Sequence, residues 1–169
     1  VDKTEALADY YQLSATFETL DAMGANFINS CLESFAETFR EEAEKDASIR
    51  GQYEIVMSIL SNYVPNCLVR AEVHCPVDEL EIAHLKGMAA AKKFVQALAI
   101  ANADVYRATT HNKGIMNGID SVILATGNDF RAIEAGAHAY AARSGNYKSL
   151  SNAWIEGDTF HFALELPLA

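Results

Sequence analysis

The stretch Ala153-Trp154-Ile155-Glu156-Gly157-Asp158-Thr159-Phe160-His161-Phe162-Ala163-Leu164-Glu165-Leu166 reads as a β-hairpin turning at Gly157-Asp158. Phe160, Phe162, Leu164 and Leu166 alternate on the returning arm, so one face of it is set for burial. Working back along the chain, Cys67, Val69, Ala71 and Val73 alternate with Arg70 and Glu72 as another strand, ended by Pro76. Helical spacing fills the interval between. Gly87 divides a helical stretch, and Met88, Ala91, Phe94, Val95 and Leu98 mark its longer part. Two further helices, rich in Ala and Gly, are predicted over 114–125 and 130–143.

The first third of the chain has a different rhythm. Tyr11, Leu13, Ala15, Phe17 and Thr19 alternate with Gln12, Ser14, Thr16 and Glu18, which predicts a half-buried strand over 11–19. Asp21 is placed to cap a helix of about 21–45, whose apolar row is Ile28, Leu32, Phe35 and Phe39. Its other face carries Glu33, Glu37, Arg40, Glu41 and Glu44, a solvated surface. Gly51 stops that helix, and Tyr53, Ile55, Met57 and Ile59 alternate again. Strand–helix–strand followed by a helix-rich part with a closing hairpin makes this an α+β chain.

Composition narrows the function classes. Of 169 residues, 50% are hydrophobic and 21% charged, with three prolines and nine glycines, which excludes disordered and collagen-like chains. Thirteen Lys and Arg against twenty-three Asp and Glu give a net charge of −10, so nucleic acid, which needs a basic face, is a poor partner. No apolar run approaches the ~20 residues of a membrane span. The first residues, VDKTEALADYYQLS, have no basic and apolar leader pattern, and the cytoplasm is the expected compartment. Cys31, Cys67 and Cys75 are sparse and odd in number, which suits reduced, buried thiols. His74-Cys75 is the one adjacent His/Cys pair, and a zinc site would need two more ligands, so no metal is expected.

Three strings concentrate polar chemistry. Val105 to Ile119 holds no acidic residue, yet it contains Arg107, His111 and Lys113 among hydroxyls. It reads either as a connecting loop or as a cationic site for a small carboxylate, which arginine can grip with two parallel bonds. Lys113 and Asn117 are four apart, so a helix beginning at 114 would place both at its first turn, where anions are favoured. In Ala125-Thr126-Gly127-Asn128-Asp129, Asp129 reads as a helix cap or as a carboxylate that holds Lys113 charged and oriented. In Asp21-Ala22-Met23-Gly24-Ala25-Asn26, small side chains behind a capping Asp admit close approach, either of another backbone or of a ligand.

Together, DAMGAN (21–26), LSNYVPNCLVRAEV (60–73), RATTHNKGIMNGID (107–120) and ATGNDFRAIEAGAHAYAARSG (125–145) closely resemble the 3-hydroxy-3-methylglutaryl-CoA reductases of the bacterial class II branch. The likeness runs with gaps from about Phe17 to Leu150 and is densest from Tyr106 to Gly145. It implies a two-step, NADH- or NADPH-dependent reduction of an acyl-CoA thioester to mevalonate and free CoA, with no metal. It implies that Lys113 stabilises the oxyanion formed on hydride transfer and that Asp129 tunes the lysine's protonation. Arg107 matches the residue that grips the substrate carboxylate, and Asn117 an asparagine of the same site. Asp21, Ala22, Met23 and Gly24 match a contact with the nicotinamide cofactor, and Asn62 lies near it.

The resemblance also implies a division of the chain. Residues 1–60 would be the end of a small antiparallel NAD(P)-binding domain, and 61–169 part of a helix-rich acyl-CoA-binding domain. Family members pair subunits to build the active site between them, so a dimer-based homo-oligomer is expected. The family also uses an upstream glutamate and a histidine in a C-terminal segment to protonate the thiolate. Neither motif is present here, and none of His74, His84, His111, His138 and His161 stands in that C-terminal context. The chain therefore reads as an internal fragment without useful turnover alone, since such groups act as a unit. The rival is a non-catalytic CoA- or nucleotide-binding module built on the same fold.

Overall fold

A computed structural model describes residues 2–3, 7–20 and 22–168. The chain divides into two compact units, Val1–Leu60 and Ser61–Ala169. In the first, β1 (Asp2–Lys3) pairs antiparallel with β2 (Tyr11–Gln12), and α1 (Ala25–Ala43) follows. The helix begins at Ala25 with Gly24 as its cap; Asp21, expected there, lies outside the described residues. Phe17 stacks on Phe35 of α1 with centroids 6.3 Å apart, and Phe39 meets Tyr53 edge-on at 5.3 Å.

Two of the expected strands are corrected. The alternation over 11–19 becomes ladder only at Tyr11–Gln12, and residues 53–60 carry no regular structure. Alternation prepares a backbone for pairing but does not supply the partner strand, and among the described residues no strand runs beside 53–59.

The second unit is built on a three-stranded antiparallel sheet in the order β3-β7-β6. It comprises β3 (Leu68–Pro76), β6 (Ser151–Glu156) and β7 (Thr159–Pro167), with the predicted turn at Gly157-Asp158 joining the last two. Between β3 and β6 come a short 3-10 turn (Val77–Glu79) and the small hairpin of β4 (Glu81–Ile82) and β5 (Leu85–Lys86), in place of the helical segment expected before Gly87, then α2 (Gly87–Ala103), α3 (Val105–Ala125) and α4 (Phe130–Ala141). In register, Val69 faces Leu166, Val73 faces Phe162, and Ala153 faces Phe162 from the other side.

Helices pack on one face of this sheet. Phe160 and Phe162 meet Phe94 of α2 edge-on at 5.3 and 5.8 Å, within a cluster that includes Val77, Ala91, Leu98 and Ala153. A neighbouring cluster joins Met116, Ile133, Tyr140, Leu150 and Leu166 from α3, α4 and the sheet. Removing the ring of Phe160, which is buried in this layer, should lower the unfolding free energy by about 3–5 kcal/mol. Urea unfolding of Phe160→Ala against the parent chain measures it, and an unchanged midpoint would contradict the packing described.

Candidate active site

Helix α3 carries most of the polar residues singled out above. It starts at Val105, nine residues before the expected position, so Arg107, His111 and Lys113 lie on a helix rather than in a loop. Asp104 caps it by accepting from the Tyr106 N–H at 2.9 Å. The hydroxyls that suggested a loop are used within the helix: Thr109 donates to the Val105 carbonyl at 2.8 Å and Thr110 to that of Tyr106 at 3.1 Å. Lys113 therefore sits in the middle of a helix, and the first-turn argument for anion binding does not apply to it.

The burial of α3 sets which way each side chain points. Ala108, Asn112 and Met116 form its buried row, at the four-residue spacing of one helix face. Arg107, Lys113 and Asn117 are exposed, and Asn117 falls between the two cations in helical projection. Among the described residues neither Arg107 nor Lys113 is engaged in an ion pair or side-chain hydrogen bond. Two unpartnered cations and an amide on one open side of a helix can receive an anionic, carbonyl-bearing molecule without first breaking a protein contact.

Buried groups next to these hold the helix in place. Asn112 is fully buried; its Nδ2 donates to the Lys148 carbonyl at 2.9 Å, and its Oδ1 accepts from the Leu150 N–H at 3.0 Å. His111 Nε2 lies 2.7 Å from the Ser151 hydroxyl, and burial pushes the imidazole below its ordinary value of 6.5. Glu134 of α4 is held above the usual carboxylate range, chiefly by the Asp120 carboxyl of α3 beside it.

Asp129 acts as the cap of α4, where its Oδ1 accepts from the N–H groups of Arg131 and Ala132 at 3.0 and 3.3 Å. Its carboxylate also lies 3.6 Å from Arg131 Nε. Among the described residues it makes no ion pair with Lys113.

Asn62 is exposed, in the segment leading to β3. Its carbonyl oxygen lies 3.0 Å from where a Cβ on Gly136 would stand, so the missing side chain of Gly136 lets this segment reach α4. In the first unit Gly24 has φ +67° and caps α1 without any side-chain hydrogen bond. A Cβ there would come within 2.9 Å of Thr19 Cγ2. Among the described residues no side chain accepts from the first-turn N–H groups of α1.

With this geometry in view, a sequence profile described as hydroxymethylglutaryl-coenzyme A reductase matches residues 2–169. The chain belongs to that family. The 3-hydroxy-3-methylglutaryl-coenzyme A reductase of Archaeoglobus fulgidus is 41% identical over 150 residues, covering 88% of this chain and 31% of that protein. The solved 3-hydroxy-3-methylglutaryl-coenzyme A reductase of Streptococcus pneumoniae superposes with a TM-score of 0.76 at 41% identity, covering 89% of this chain and 39% of that one. The class II Streptococcus pneumoniae enzyme bound to NADPH in open conformations also gives a TM-score of 0.76 at 41% identity, with 35% of it covered. This reductase-family chain thus spans about a third of the length of the relatives it matches. Among the described residues no helix is long and apolar enough to cross a membrane, and no three His, Cys, Asp or Glu side chains gather as a metal site.

Asn112 and Ser151 were not singled out by motif reading. A signal for Asn112 does exist, since an amide placed between Ala108 and Met116 interrupts a small, apolar four-residue row of a helix. Ser151 left no such mark; its partner, His111, is forty residues away in sequence.

Two measurements test the packing around these residues. Gly136→Ala should destabilise the chain by about 1–3 kcal/mol, as the new methyl presses on the Asn62 carbonyl. A rise in melting temperature would show that the segment yields freely. Because His111 is depressed in the folded state, unfolding takes up its proton first as pH falls. Its contribution to stability is therefore complete above 6.5 and declines as pH drops from there toward the folded value. Urea midpoints between pH 8 and 5 should show that decline, and His111→Gln should flatten it.

Proposed function

We propose that the protein carrying this chain reduces the thioester of 3-hydroxy-3-methylglutaryl-CoA to mevalonate and free CoA. Two hydrides and two protons are consumed, and the carbon–sulfur bond breaks after the first reduction. The match of a single family along residues 2–169 carries this reading. NADH or NADPH supplies the hydrides when bound, and the family resemblance of the DAMGAN string assigns Asp21, Ala22, Met23 and Gly24 to holding it, as that of the LSN string separately assigns Asn62.

Lys113 is assigned to the carbonyl oxygen of the substrate. A compact ammonium beside that oxygen stabilises the negative charge that develops as hydride reaches carbon, and it can give up a proton there. Its exposed, unpartnered position on α3 supports this role. Arg107 takes the free carboxylate of the hydroxymethylglutaryl group, leaving Asn117 between the two to orient the acyl chain. Asp129 acts on Lys113 only where another segment or subunit brings the two together, because here its carboxylate caps α4.

The two units are assigned accordingly: 1–60 to the end of the nucleotide-binding domain, 61–169 to part of the acyl-CoA domain. A dimer-based homo-oligomer accounts for the apolar side chains exposed on α3, among them Tyr106, Val122 and Leu124. Cys31, Cys67 and Cys75 are free thiols, but Cys67 is exposed and the other two only half-buried, not buried as expected, so the cytoplasm rests on their sparse, odd number alone.

The deciding experiment is Lys113→Ala in a reductase of full family length carrying these residues, followed through NAD(P)H oxidation. Loss of an oxyanion-stabilising group should lower kcat by about 10²–10³-fold with the acyl-CoA still bound. Retention of the parent rate would remove Lys113 from the chemistry.

A further inference from the structure

Lys113 can act on a reacting oxygen only if α3 is held at one rotation about its axis. Helix α3 meets the sheet at the junction that leads into β6. The backbone of that junction is held from two sides: the Lys148 N–H donates to the Ala141 carbonyl at the end of α4, and the Glu165 N–H of β7 donates to the Leu150 carbonyl. Asn112 ties α3 into it. One side-chain amide spans the Lys148 carbonyl and the Leu150 N–H, using both a donor and an acceptor of the same planar group. A bidentate contact to a fixed backbone resists rotation as well as translation, which a single hydrogen bond or a methyl contact does not.

The lever arm makes this matter. A turn of about 10° about the axis moves a side chain at the helix surface, roughly 5–6 Å out, by about 1 Å. Displacements of that size cost an oriented reaction about 10²-fold. Asn112 is adjacent to Lys113, so its clamp sets the direction of the next Cα–Cβ bond. Ala108 and Met116, its neighbours in the buried row, have apolar side chains and add no side-chain hydrogen bond. The titratable and charged groups of the elements packed around the junction are His111 and Lys113 on α3, His138 and Tyr140 on α4 with Arg143 just past its end, Tyr147 and Lys148 of the junction itself, Glu165 of β7, and Tyr63 before β3.

We propose that Asn112 is the positioning residue for Lys113, clamping α3 to the 148–150 junction so that the lysine is presented at a fixed angle. This rests on the assignment of Lys113 to the substrate oxygen. Asn112→Asp tests it by pH. The carboxylate keeps the acceptor for Leu150 but sets a negative charge against the Lys148 carbonyl; once protonated, it restores the donor with almost the same shape. Burial raises the pKa of such a carboxyl into an accessible range.

In a reductase of full family length, kcat of Asn112→Asp relative to the parent should be about 10-fold down at pH 8. It should recover at least several-fold by pH 5.5, with KM for the acyl-CoA little changed. Asn112→Ala should lose kcat at every pH. Leu98→Ala, a core change in α2, should lower the melting temperature while leaving kcat intact. A flat kcat ratio across pH for Asn112→Asp overturns the clamp, as does parent-like kcat at pH 8 with only the melting temperature reduced. If Asn112→Ala fails to fold, the pH series of Asn112→Asp decides alone. Lys113→Ala in the same assay separates the two ideas. If it retains activity, the lysine's role fails; if it is inactive while Asn112→Asp matches the parent, only the clamp fails.

Discussion

The pairing of β3 with β7 is the constraint on which the second unit depends. Nine residues of each strand stand in register from Leu68↔Pro167 to Pro76↔Thr159, although α2, α3 and α4 lie between them in sequence. Closing so long a loop costs conformational entropy, and the apolar face of β7 offsets it by gathering the helices over one side of the sheet. The opposite side stays polar. There His161 stacks on Trp154 at 4.9 Å, and Arg70 holds the Glu72 carboxyl below its ordinary value.

Fixing the sheet fixes where α3 must run. Its buried row faces the junction into β6, which leaves Arg107, Lys113 and Asn117 on the open side. The helix thus has one side set by hydrogen bonds to backbone and another on which, among the described residues, Arg107 and Lys113 have no side-chain partner. In the first unit Gly24, free of a Cβ that would meet Thr19, precedes α1, and among the described residues no side chain caps that helix start.

Much of this could be read before any coordinates. The hairpin at Gly157-Asp158, the strand around Val69–Val73 and the helix through Phe94 and Leu98 follow from short-range periodicity, and each is found. Threonine hydroxyls misled the reading of α3, because they suit loops and also bond back to carbonyls one turn earlier. The 11–19 and 53–59 segments misled it differently, since their alternation is real but their ladder partners are not a local property. The candidate site was legible as residue types in strings, and Lys113 with Asn117 as a pair one turn apart.

By itself, then, the order of residues determined the hydrophobic periods, the turn glycines and the motif strings that place the chain in its family, since all of these act over a few residues. Only the tertiary structure decided that Asp129 caps α4, that His111 meets Ser151, and that Asn112 grips the backbone at Lys148 and Leu150. The last two contacts span roughly forty residues of chain, and local spacing carries no information about which distant backbone a buried donor will find.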